Sequence, residues 1–210
     1  MLYLTGYMKT CGHVVLEKAR AGETDAALLV CGDLPEAAGP ESTPVTGEFK
    51  GKIATAFAGD FISGVSGYGE DYLQAAVMGY SMVPTGETPL FGPAAEFGSG
   101  CAGILSAGSN AYVYVTEGSG MCIVRMADIF GKKKLVRCLS SEGGEDVIGL
   151  SEGSVLIACP ERWMEGGPSL NDMISLFDPS DIKDDDAFDR HLSELAGEGF
   201  TGCAAALMVK

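Results

Sequence analysis

Basic residues are scarce: 14 Lys and Arg stand against 29 Asp and Glu, a formal net charge of −15 over 210 residues. That balance repels nucleic-acid phosphates and anionic membrane surfaces, so neither is an expected partner. Acidity alone identifies no partner, because a solvated acidic surface is its commoner meaning. Histidine is nearly missing, with only His13 and His191. His191 sits beside Arg190 on a helical stretch and is expected at the surface, so a Ser-His-Asp or Cys-His arrangement has little to be built from. No apolar run approaches the roughly 20 residues of a membrane span. The start, Met1 to Lys9, lacks the basic flank and hydrophobic stretch of a signal peptide. There is no CxxC pair among the seven cysteines, Cys11, Cys31, Cys101, Cys122, Cys138, Cys159 and Cys203, and an odd number cannot all pair within one chain. Several lie in apolar strand-like runs and read as small buried hydrophobes rather than redox or metal groups. A cytoplasmic location, with its reducing conditions, fits that usage.

What the chain has in quantity is apolar residues (46%) and glycine (30 residues). The first suffice for one substantial core without disulfides or metals; the second imply many turns and short strands. Strands are expected at Leu2 to Met8, His13 to Ala19 and Ala26 to Asp33, the last two joined at Gly22. After a loop from Pro35 to Thr46, two helices follow. Ile53, Ala56, Phe57, Phe61 and Ile62 share one face of the first, and Tyr72, Leu73, Ala76, Val77 and Tyr80 one face of the second. A proline-bearing loop from Pro84 to Gly98 precedes strands at about 101–107, 110–116, 120–127 and 134–139, with hairpin turns at Ser109-Asn110 and Gly131-Lys132. A Gly-rich loop, a strand from Val155 to Cys159, helices at about 169–177 and 185–196, and a strand from Cys203 to Val209 complete the pattern. Phe188, Leu192 and Leu195 lie at i, i+4 and i+7 in the last helix, which ends at Gly197. No linker divides the chain, which reads as one domain, 1–210. Antiparallel sheets covered by helix pairs make a layered α+β sandwich the natural packing.

Three local patterns match motifs whose context they lack. Gly98-Ser99-Gly100-Cys101-Ala102-Gly103 fits GxGxxG, but a dinucleotide site needs a strand before it and a helix after it, and here a loop precedes and a strand follows. Gly149-Leu150-Ser151-Glu152-Gly153 fits GxSxG, yet it too runs into a strand and reads as a turn. The acidic cluster Asp181, Asp184, Asp185, Asp186 and Asp189 lacks the glycine and distal glutamate of a calcium loop. Acids at a helix start complement its dipole, which accounts for them without a ligand. Lys132, Lys133 and Lys134 read as a solvated hairpin tip.

The order of elements resembles the type 2C (PPM) metal-dependent serine/threonine protein phosphatases over nearly the whole chain. Leu28-Leu29-Val30-Cys31-Gly32-Asp33, followed by Gly39 and Ser42, resembles that family's apolar strand ending in Asp-Gly. Phe97-Gly98-Ser99-Gly100-Cys101-Ala102 resembles its Gly-Thr/Ser-Thr-Ala strand entry, and Asn110 to Arg125 the hairpin that carries Gly-Asp-Ser. Gly153-Ser154-Val155-Leu156-Ile157-Ala158-Cys159, then Trp163, resembles the strand reading Gly-Asp-x-Leu-Leu-Leu-x-Ser-Asp-Gly-Leu-Trp. Gly199 to Val209 resembles the closing Asp-Asn and apolar strand. The resemblance implies a four-layer α-β-β-α sandwich of two antiparallel sheets flanked by helix pairs. In the family, aspartates at these strand ends hold two Mn²⁺ or Mg²⁺ ions, which activate a water that attacks phosphorus.

The aspartates are displaced. Gly32-Asp33 inverts Asp-Gly, Glu117-Gly118-Ser119 replaces Gly-Asp-Ser, Pro160-Glu161 replaces Asp-Gly, and Thr201-Gly202 replaces Asp-Asn. An upstream Asn-Glu-Asp pattern has a likeness in Glu23-Thr24-Asp25, although His13 to Glu17 is the better positional equivalent. The leading expectation is a pseudophosphatase with no assigned catalytic residue and no cofactor, binding a phosphoprotein or the partner site of a kinase or phosphatase. The alternative is a working phosphatase whose Mn²⁺ or Mg²⁺ ions are held by a rearranged set, Asp33, Glu117 and Glu161. An N-terminal-nucleophile hydrolase, a different four-layer sandwich, would need an exposed Thr, Ser or Cys where the chain reads Met1-Leu2.

Overall fold

Apolar runs too continuous for a one-sided sheet set the layering. In the strand Gly202–Val209 every residue but Val209 is buried, a pattern that requires cover on both faces. The computed structural model describes residues 1–9, 13–32, 47–78, 100–129, 132–166, 172, 178, 181–197 and 200–210. Its strands are β1 Leu2–Lys9, β2 His13–Ala21, β3 Thr24–Gly32, β4 Ala102–Ala107, β5 Asn110–Val115, β6 Met121–Ile129, β7 Lys132–Leu139, β8 Gly144–Gly149, β9 Val155–Pro160 and β10 Gly202–Val209. Its helices are α1 Gly47–Ala76, α2 Glu161–Gly166 and α3 Asp185–Ala196.

The strands form two five-stranded sheets, in the orders β1-β10-β9-β6-β7 and β2-β3-β4-β5-β8, and every strand pairing is antiparallel. Period-two alternation splits each strand between two cores. In β3, Ala27, Leu29 and Cys31 face the opposite sheet and join Ile104, Val113, Ile123, Leu156 and Leu207. Leu28 and Val30 face the other way, against Phe61, Tyr72 and Leu73 of α1. The outer face of the first sheet packs Val124, Ile157 and Ala206 against Phe188, Leu192 and Leu195 of α3 and Trp163 of α2. The layers therefore run α1, sheet, sheet, α3: an α+β sandwich, as expected.

The strand bounds lie within about two residues of the sequence reading, and α3 covers the expected 185–196. Two elements differ. Residues 144–149, read as a Gly-rich loop, form the edge strand β8; only Ile148 of it is buried, and its ladder with β5 supplies what its side chains do not. The segment after β9 begins the short helix α2, which was not anticipated. The two helices expected between residues 53 and 80 are present: they run on within α1 and are separated by a kink at Gly69, whose φ is 58°. Ile62, placed on the buried face, is 47% exposed, whereas Phe61, Tyr72, Leu73, Ala76 and Val77 are buried. The 108–110 hairpin turns at Gly108-Ser109, one residue earlier than expected. Of the helix expected at about 169–177 only Asp172 is described, and the loops at 35–46 and 84–98 and the Phe130-Gly131 turn lie outside the described residues.

The acidic cluster does structural work at the start of α3. Asp184 is the N-cap, accepting from the Ala187 N–H at 2.7 Å. Asp185 accepts from the N–H of Leu4 on the open edge of β1 at 2.9 Å and from Lys18 Nζ at 2.6 Å, tying helix and both sheets together. Asp189 accepts from the Thr5 hydroxyl at 2.9 Å. His191 is half-buried rather than at the surface, and Lys133, expected in a solvated turn, pairs with Asp178 at 3.1 Å.

Candidate functional site

The registers bring many strand ends to one end of the sandwich. His13 pairs with Gly32, Cys31 with Ala102, Ala102 with Val115, Val115 with Gly144, Met121 with Pro160, and Lys9 with Gly202. The turns and segments containing Glu117, Glu161 and Thr201 therefore share that end. Asp33 follows directly on Gly32, the last residue of β3, but itself lies outside the described residues. The side chain of His13 is likewise not described.

Glu117 opens the turn between β5 and β6 and is exposed. Backbone contacts fix this turn. Gly118 N–H donates to Ser141 O at 2.8 Å, and Ser119 N–H to Thr116 O at 3.1 Å. Thr116 N–H donates to Cys101 O at 2.9 Å, and the Thr116 hydroxyl accepts from Cys101 N–H at 3.3 Å. Burial pushes the Cys101 thiol up to about 11, so it stays protonated at neutral pH.

Glu161 begins α2 where β9 ends, and its side chain is 18% exposed. One carboxylate oxygen accepts from Arg137 Nη1 at 2.5 Å. The other accepts from the Ser141 N–H at 3.3 Å and from the Ser141 hydroxyl. The Ser141 hydroxyl, then its N–H and the Arg137 guanidinium, hold the Glu161 carboxyl below its usual range against the opposing effect of desolvation. A depressed acid contributes stability above its ordinary value near 4.5 and loses it as pH falls through the depressed value. Glu161→Gln is therefore expected to cost about 1 kcal/mol at pH 7, discounted for partial exposure. Urea unfolding at descending pH should show the difference from the parent closing below the ordinary Glu range; a gap that persists in acid would refute the ionic origin.

A groove of about 380 Å³ lies beside this cluster, lined by Gly118, Ser119, Gly120, Glu161, Arg162 and Glu165. Arg162 Nη2 donates to the carbonyl of Thr201 at 3.4 Å. Guanidinium groups thus stand at both segments, Pro160-Glu161 and Thr201-Gly202, where the resemblance described above leads one to expect aspartates. Arg137, Ser141 and Arg162 carried no signal in the sequence: one is an alternate residue of a basic strand, one a turn serine, one a helix residue.

Divalent Mn²⁺ or Mg²⁺ takes free carboxylate oxygens. Both oxygens of Glu161 already accept from protein donors, and Arg137 would add its repulsion, so Glu161 as placed does not suit such an ion. Among the described residues, no three His, Cys, Asp or Glu side chains are grouped so as to hold a metal ion. No described helix is long and apolar enough to cross a membrane.

No family model matches the chain, and no curated protein matches it. Solved structures do. The serine/threonine phosphatase of S. agalactiae matches with a TM-score of 0.52 at 13% identity, over 100% of this chain and 100% of that one. A chain from the bacterial stressosome, described as a modular system adapted to control secondary messenger signaling, matches at 0.51 and 11% identity, over 99% and 98% of the two chains. A PPM Ser-Thr phosphatase from Mycobacterium smegmatis stands at 0.47 and 11%, over 100% and 98%. At such identities the likeness is one of architecture: the chain has the α+β sandwich fold of the type 2C phosphatases.

Proposed function

We propose that this chain is a catalytically impaired phosphatase-like domain that works as a regulatory or binding module. One observation carries the reading: arginine side chains reach both segments, Pro160-Glu161 and Thr201-Gly202, where the type 2C resemblance leads one to expect metal-binding carboxylates. Arg137 neutralises Glu161, and Arg162 reaches the Thr201 carbonyl. A bound guanidinium supplies the positive charge a metal would bring, but it activates no water for attack on phosphorus. Such a module would recognise a phosphoprotein or dock on a kinase or phosphatase. The fold accommodates regulatory use, since a stressosome chain shares it.

A second reading has its own support. Glu117 and Glu161 share one end of the sandwich with the terminus of β3, from which Asp33 follows. An active enzyme would hold Mn²⁺ or Mg²⁺ through Asp33, Glu117 and Glu161 after Glu161 releases Arg137. Hydrolysis of an aryl phosphate and of a phosphothreonine peptide separates the two. We expect a protein folded by circular dichroism to show no turnover above background with either metal. Metal-dependent turnover that disappears in Asp33→Ala would establish the enzyme and sink the module.

A further inference from the structure

Within the outer core of the first sheet two thiols face each other. Cys122 on β6 and Cys159 on β9 are direct register partners, both are fully buried, and their sulfurs lie 3.8 Å apart. Opposed residues of an antiparallel pair are about 4.5 or about 5.5 Å apart at Cα, and either falls within the roughly 4.4–6.8 Å that a disulfide spans. Closing this pair needs side-chain rotation and small strand adjustments, with no change of register. A second thiol contact, Cys31 with Cys203, joins strands of opposite sheets rather than register partners of one ladder, and Cys31 also donates across the sheets to Ala158 O at 3.4 Å.

We propose that Cys122 and Cys159 are a reversible oxidation site, closing to a cross-strand disulfide under a hydroperoxide. Each thiol gives up its hydrogen, one S–S bond forms, and the two electrons cleave the O–O bond; with hydrogen peroxide the products are the disulfide and two waters. Trp163 of α2 shares the same buried cluster. Because α2 is only six residues long, brief local opening of this short helix is the natural entry for so small an oxidant. The bond so formed is expected to reopen by thiol–disulfide exchange with a dithiol. Its position gives it consequence. The bond would join β6 and β9 within a few residues of Gly120 and Glu161, both of which line the groove. This inference rests on strand geometry and stands whether or not the domain hydrolyses phosphate.

The test uses the whole chain, treated with hydrogen peroxide and quenched with a thiol-blocking reagent under denaturing conditions. We expect a mass loss of two hydrogens, a crosslinked peptide joining Cys122 to Cys159, and reversal by dithiothreitol. The thermal midpoint should rise by about 5 °C or more. Fluorescence of Trp163, the one tryptophan, should fall as the disulfide forms in its cluster. Cys122→Ala and Cys159→Ala should each abolish the crosslink, while Cys31→Ala should retain it. Should a single-alanine variant fail to fold, peptide mapping of the unsubstituted chain decides. A chain that stays folded in peroxide without the Cys122–Cys159 link, or that links other cysteines instead, would overturn the proposal.

Discussion

Replacing Phe188 by Ala is expected to lower the unfolding free energy by about 3–5 kcal/mol, the cost of deleting a buried ring whose surroundings collapse only partly. Phe188 is fully buried, facing the outer side of the first sheet with Leu192 and Leu195. Relaxation around the vacated space is limited because α3 is held at its start by three aspartates. Asp184 caps it, Asp185 grips the Leu4 N–H and Lys18, and Asp189 accepts from Thr5. For a chain of this size the thermal midpoint should drop by about 10 °C. Arg190→Ala, at an exposed position on the same helix, should change stability by no more than about 0.5 kcal/mol. Denaturant unfolding of both variants at pH 7 is the measurement. A loss below about 1.5 kcal/mol for Phe188→Ala would mean that α3 sits loosely on the sheet.

Where one physical signal dominated, the sequence was readable. α3 has a capping aspartate, apolar residues at i, i+4 and i+7, and a terminal glycine, and its bounds coincide with the reading. β3, β9 and β10 are apolar runs bounded by turns, and they form because both of their faces are covered. β8 was missed for the opposite reason. Gly144-Glu145-Asp146-Val147-Ile148-Gly149 has little β-propensity and buries only Ile148; hydrogen bonding to β5 makes it a strand, and no side-chain pattern records that. Ile62 differs because it lies about 100° further round the helix than Phe61 and falls past the edge of the buried face, whereas Phe61 is enclosed. At the site end, the likeness to the type 2C pattern pointed to strand ends that the registers bring together. It said nothing of Arg137 and Ser141, which reach Glu161 only because β7 and the turn after it lie alongside the start of α2. Contacts of that kind join residues about 20 positions apart and leave no periodic trace.

Three glycines admit a sharper prediction, Gly100 and Gly143 at the site end and Gly108 at the opposite end, since together they separate two effects. Gly108 has φ +57° with open space around its Cβ position, so Gly108→Ala tests backbone strain alone and should cost about 1 kcal/mol. At Gly100 no left-handed backbone is required, but an added Cβ would lie 2.6 Å from Ser119 Cα. At Gly143 both apply: φ is +82°, and a Cβ would meet Glu117 N at 2.7 Å and Glu117 Cα at 2.8 Å. These are backbone atoms and cannot swing aside as a side-chain tip can, so the 116–119 turn itself must move. Gly143→Ala should therefore cost about 3 kcal/mol or more, with Gly100→Ala between the two. Displacing the turn also disturbs the bond from Gly118 N–H to Ser141 O, and Ser141 is the residue that holds Glu161. So Gly143→Ala should raise the apparent pKa of Glu161 toward its ordinary range, followed by NMR titration of the carboxyl, whereas Gly108→Ala, in the opposite hairpin, should leave it alone. Equal stability losses in Gly108→Ala and Gly143→Ala would show that residue 143 is not wedged against the Glu117 turn. The Glu117 and Glu161 segments would then be mechanically independent.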